Sequence, residues 1–230
     1  MSGLEADREI TPGGVPLRYA ELGEGRPIVL VHGNGESHAI FDVLAAELAA
    51  RGRRVLAPDS RGQGANEPLD EYHYADMAED MYLFIRALGL EKPVLYGFSD
   101  GGIIGLLLAS KHPGTLGALA VSGANLSPDG LVPEFLKEVG EQNARHPEPL
   151  VTLMLTEPHI DPRELALIDV PVLVTAGEHD LILPEETRRI AGSIPDSELV
   201  IVPGADHGGY VEHSPVIGGL LCAFLERRGL

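Results

Sequence analysis

Apolar residues follow two rhythms along this chain. Short, largely apolar runs recur at 28–31, 54–57, 94–96, 119–121, 172–174 and 199–202, each too short to be a helix. The run Ile28-Val29-Leu30-Val31 has no polar alternation and predicts a strand covered on both faces. Between the runs the period lengthens. Residues 37–50 place Phe41, Leu44 and Leu48 on one stripe, and 74–88 repeat Tyr74, Met77, Met81, Phe84, Ile85 and Leu88 at helical spacing. Helices also fit at 103–109, 184–192 and 213–228, and 7–22 reads as a hairpin turning at Pro12-Gly13-Gly14. Strands alternating with helices imply right-handed crossovers. The predicted class is α/β, a doubly wound, mostly parallel sheet with helices on both faces.

One stretch breaks the alternation. Residues 125–168 hold no convincing core strand, only helical pieces at 133–144 and 150–155 set apart by Pro147, Pro149, Pro158 and Pro162. They predict a short helical cap over the strand ends, which leaves 1–124 and 169–230 as the core. A length of 230 residues with 44% hydrophobic and 23% charged positions suits one soluble domain. The net charge of −18 argues against nucleic acid or an anionic membrane surface as partner. Cys222 is the only cysteine, so there is neither a disulfide framework nor a thiolate metal cluster; its apolar surroundings predict a buried thiol. Residues 1–8 lack the apolar core of a signal peptide and no run reaches membrane-spanning length, so a cytoplasmic location is expected.

In an open parallel sheet, ligands bind beyond the carboxyl ends of the strands. Four polar clusters follow apolar runs and project to that rim. They are His32-Gly33-Asn34-Gly35, Gly97-Phe98-Ser99-Asp100-Gly101-Gly102, Gly177-Glu178-His179-Asp180 and Gly204-Ala205-Asp206-His207-Gly208. The second fits the nucleophile-elbow pattern Gly-x-Ser-x-Gly, a spacing that also arises by chance in glycine-rich turns. A serine is a poor nucleophile at neutral pH and needs a base; His207 suits that role, with Asp180 to orient the imidazole. Asp206 and His213, and for the acid Glu178 and His179, are local rivals in poorer register. His32 reads as structural. His32, His179 and His207 show no metal-binding spacing, so no metal is expected. The backbone N–H groups of Asn34 and Asp100 are candidates for an oxyanion hole.

These clusters, together with Asp59-Ser60-Arg61-Gly62-Gln63-Gly64, resemble the α/β-hydrolase superfamily over nearly the whole chain. The resemblance implies an eight-stranded sheet with one antiparallel strand and a cap after the sixth strand. It also implies catalysis without metal or organic cofactor. Serine at the elbow argues against the dehalogenases and epoxide hydrolases of that superfamily, which use aspartate. The Ser99-Asp100-Gly101-Gly102 run is similar to that of valacyclovir-hydrolase-like enzymes, which implies that Asp100 could face a substrate ammonium. Alternatively its carboxylate bonds locally, to backbone or to the 59–64 loop, and Arg61 is a candidate to neutralise it.

The expected activity is hydrolysis of a small carboxylic ester through an acyl-enzyme, with thioesters or amides as further options. C–C bond hydrolysis or lyase chemistry on the same three residues is another. From a different class, a ligand-binding signalling protein of the same fold with little turnover is the alternative. Phe135, Leu136, Leu153 and Met154 are candidates for the apolar pocket wall, or else they hold the cap to the sheet. The oligomeric state stays open.

Overall fold

The computed structural model describes residues 4–230, so the first three residues of the predicted core and of the segment 1–8 lie outside the described residues. The chain opens with β1 (Arg8–Ile10), a single 3-10 turn at Pro12–Gly14, and β2 (Leu17–Leu22), paired antiparallel as the hairpin pattern predicts. Then follow β3 (Arg26–Val31), α1 (Asp42–Ala50), β4 (Arg53–Pro58), α2 (Tyr74–Ala87), β5 (Val94–Phe98), α3 (Asp100–Lys111) and β6 (Ala118–Ser122). After the insertion come β7 (Val172–Gly177), α6 (Pro184–Ser193), β8 (Ser197–Val202) and α7 (Val216–Arg228). The sheet has eight strands in the order β1-β2-β4-β3-β5-β6-β7-β8, and only β2 runs against the rest.

The alternation of side chains along a strand explains the two cores. On β3, Val29 and Val31 join one buried cluster while Ile28 and Leu30 join the other. The first lies under α2 and α3, with Met77, Phe84, Ile104 and Leu108; the second lies under α1 and α7, with Leu44, Leu48, Leu221 and Phe224. A strand buried on both faces must be apolar at every position, which is why the central runs are unbroken. At the edge the rule relaxes. Among the described residues, strand β8 pairs only with β7 and leaves Leu199 and Ile201 exposed on its outer face.

Two helix starts differ from the pattern-based expectation. Helix α7 begins at Val216 rather than 213, because Pro215 occupies its N-cap and His213 has a positive φ of 50°. Helix α3 begins at Asp100, three residues before the apolar stretch that signals it. Cys222 is buried and unpaired, as expected. Between β6 and β7 lie α4 (Pro133–Arg145) and α5 (Pro149–Thr156), the latter anchored by Leu153, which is 2% exposed within the α2–α3 core. Among the described residues no helix is long and apolar enough to cross a membrane.

Candidate active site

Strand β5 passes into α3 through one residue, Ser99, at φ 52° and ψ −114°. A non-glycine residue there is strained, and its neighbours show what holds it. A Cβ on Gly97 would strike the Gly101 carbonyl, and one on Gly101 would strike the Val31 carbonyl. Glycine at both positions lets strand, turn and helix approach this closely. Ser99 N–H donates to the Ser122 carbonyl at 2.8 Å, and the Ser99 carbonyl accepts from Gly102 and Ile103 at 2.9 and 3.1 Å. The hydroxyl is therefore left pointing out of the turn, above the sheet.

His207 arrives from the loop after β8, 108 positions further on, and its Nε2 lies 3.0 Å from Ser99 Oγ. Its Nδ1 lies 2.6 Å from Asp180 Oδ1, from the loop after β7. With the Nδ1 proton directed at a carboxylate, Nε2 is the acceptor for the serine hydroxyl. Asp180 is fixed in turn, since Oδ2 accepts from Gly177 N–H and Oδ1 from Ile182 N–H, both at 3.0 Å. Burial pushes this carboxyl up, but the hydrogen bonds from His207 and from those two N–H groups outweigh it and hold Asp180 below the usual carboxylate range. The histidine ring is also confined sterically. Phe98 stands 5.0 Å away between ring centres, and a Cβ on Gly123 (φ +61°) would come within 2.6 Å of His207 Cε1.

The local rivals are engaged elsewhere. Glu178 accepts from Gly204 N–H, Asp206 from Gly209 N–H, and His213 pairs with Asp42. His32 is fully buried, with Nδ1 toward the Gly33 carbonyl at 2.8 Å and Nε2 accepting from Ser60 N–H at 3.0 Å. Burial lowers its pKa, which suits a neutral strut joining two loops.

Among the described residues, neither Asn34 N–H nor Asp100 N–H meets a protein acceptor. The Asn34 side chain joins three segments, donating to Asp100 Oδ2 at 2.9 Å and to the Leu150 carbonyl on α5 at 3.1 Å. Asp100 Oδ1 accepts from Tyr74 OH at 2.7 Å. Its carboxylate thus bonds locally, to Tyr74 and Asn34 rather than to backbone or the 59–64 loop. Burial raises this carboxyl to about 6 against the pull of those two hydrogen bonds. Arg61 does not neutralise it. The guanidinium is held by Asp80 at 2.5 and 2.7 Å and by Asp76 at 3.1 Å, because α2 presents those two acids directly to it.

Ser99 and His207 open onto a cavity of about 240 Å³. Phe135 and Met154 contribute to its apolar wall, joined by Leu131 and Ile182. Leu153 does not: on α5 it faces the opposite way, into the core, and Leu136 is not part of the lining either. Two acids invisible to sequence spacing also line the cavity, Glu36 and Glu212. Among the described residues, no arginine or lysine lines it.

This combination of a sharp strand-to-helix serine turn with an acid after β7 and a histidine after β8 defines a class. Residues 26–148 match the family model described as the alpha/beta hydrolase fold, and the chain belongs to that family. It is 28% identical to the AB hydrolase superfamily protein YisY of Bacillus subtilis, over 91% of this chain and 95% of the relative. It is 27% identical to the human serine hydrolase BPHL, over 95% of this chain and 86% of that one. Among solved structures, a thermophilic esterase from Thermogutta terrifontis superposes with a TM-score of 0.78 at 25% identity, covering 96% and 98% of the two chains. Relatives of this kind support hydrolase activity.

Proposed function

We propose that this protein is a serine hydrolase cleaving a small carboxylic ester, with Ser99 as nucleophile, His207 as general base and Asp180 as its orienting acid. The observation that carries the reading is the continuous chain from Ser99 Oγ through His207 to Asp180, at 3.0 and 2.6 Å, beside two N–H groups without acceptors. Ser99 attacks the carbonyl carbon as its proton passes to His207 Nε2. The carbonyl oxygen, now negative, is received by the N–H groups of Asn34 and Asp100. Collapse of this intermediate expels the alcohol, protonated by His207, and leaves an acyl-Ser99. Water activated by His207 then releases the acid.

Residues 125–168 act as a short cap, with Phe135 and Met154 against the acyl or alcohol group. Among the described residues the lining carries Asp100 and Glu212 and no arginine or lysine, which disfavours anionic substrates and favours neutral or cationic esters, aminoacyl esters among them. The test is steady-state hydrolysis of p-nitrophenyl acetate, with covalent labelling by a fluorophosphonate. Ser99→Ala should lose on the order of 10⁴-fold or more in turnover and all labelling, with melting little changed, and Asp180→Asn should lose a similar factor in turnover. Activity surviving in Ser99→Ala ends the reading. Labelling at Ser99 without turnover across an ester panel favours the ligand-binding signalling alternative.

A further inference from the structure

The segment 32–36 carries the Asn34 N–H, and its neighbouring polar atoms are tied down by side chains. Gly35 N–H donates to Gln63 Oε1 at 2.8 Å, and the Asn34 amide reaches Asp100 and Leu150. Gly33 N–H donates to Glu36 Oε2 at 2.8 Å, so Glu36 folds back over its own loop. The same residue lines the cavity with Ser99 and His207. A Cβ on Gly33 would lie 2.6 Å from Glu36 Oε2 and 3.1 Å from Ser99 Cβ, so carboxyl and serine both pack against one glycine. Nothing in the reaction scheme above uses this acid.

Its charge matters because of where it sits. An ionised carboxylate beside the loop that receives the developing oxyanion opposes that charge, whereas the uncharged acid accepts the same N–H without opposing it. Burial acts most strongly to keep Glu36 protonated. The Gly33 N–H and His207 favour ionisation, while Glu212 from the turn after β8 and Asp100 from the start of α3 resist it. Together they raise the carboxyl to about 7.

We infer that Glu36 is a positioning residue: its uncharged carboxyl fixes Gly33, and through it the Asn34 N–H, while its ionisation weakens reaction at Ser99. The inference rests on the serine-hydrolase reading. It is tested by p-nitrophenyl acetate hydrolysis from pH 5.5 to 9 with wild type, Glu36→Gln, Glu36→Ala and Ser99→Ala. Glu36→Gln keeps an acceptor for Gly33 N–H and carries no charge. It should match wild type at pH 6 and exceed it by roughly three- to tenfold at pH 9. Glu36→Ala, with no acceptor, should lose about tenfold in kcat at pH 6 with KM little changed. Parallel profiles for wild type and Glu36→Gln, or a wild type that gains on Glu36→Gln as pH rises, overturn the proposal. So does Glu36→Ala as active as Glu36→Gln at pH 6. Should Glu36→Gln melt below the assay temperature, the rate of fluorophosphonate labelling of wild-type Ser99 decides instead. It must bend downward above neutral pH, and a monotonic rise overturns the proposal. Turnover surviving in Ser99→Ala would show that the hydrolase reading itself is at fault, a separate outcome.

Discussion

Gly123 supports the site without touching its chemistry. Its φ of +61° is a conformation most residues avoid, and the space a Cβ would need is filled by the His207 ring. Gly123→Ala should push the imidazole off Ser99 Oγ and lower kcat on p-nitrophenyl acetate by roughly 100-fold, the scale of a one-ångström misplacement, with KM nearly constant. Unchanged kcat would mean that the loop after β8 yields. At this scale, what the sequence reveals depends on backbone rules. Ser99, Asp180 and His207 each follow an apolar run, and strand ends of a parallel sheet share a rim, so their meeting was legible. Glu36 was not, because its carboxyl turns back on Gly33 through a loop whose course no periodicity encodes. Nor was the Tyr74 hydroxyl bonded to Asp100: as one aromatic in a helical stripe, Tyr74 reads as core, and its ring is indeed buried there.

Individual elements divide their labour between adjacent side chains. On α5, Leu153 packs into the α2–α3 core while Met154 faces the cavity. Leu153→Ala should therefore cost about 2–5 kcal/mol of stability, seen as a lower denaturation midpoint. Met154→Ala should leave that midpoint nearly unchanged and shift the preferred acyl length of p-nitrophenyl esters upward. The reverse pairing of effects would invert the orientation of α5. The sequence placed both residues in the insertion but left open whether they lined the pocket or held the cap. Short proline-bounded helices carry too few turns to fix a buried face. The long stripes of α2 and the unbroken runs of β3 and β5 do fix one, which is why the sheet and its flanking helices were readable and helix starts such as Asp100 and Val216 less so.

For the molecule as a whole, several carboxyls couple folding to pH, and the signs differ. Glu36, raised to about 7, and Asp100, raised to about 6, bind their protons more tightly folded than unfolded. Each subtracts stability as pH climbs from the ordinary carboxylate range to its raised value, and nothing further above it. Asp180, held low, does the opposite: it adds stability above the ordinary range and loses it as pH falls. Glu36→Gln should accordingly raise the melting temperature by a few degrees at pH 8, and by less at pH 5, in scanning calorimetry. An equal gain at both would show that folding does not hold this carboxyl neutral.

The strand order has a consequence for how the protein fails. Ser99 leaves the sheet from its middle, between β3 and β6, whereas His207 follows β8 at the outer margin, which one neighbour alone secures. Peeling away that marginal strand would carry off the imidazole while the serine stayed seated on its bend. Loss of activity is therefore expected to precede collapse, with the proposed base displaced while the rest of the chain still looks native.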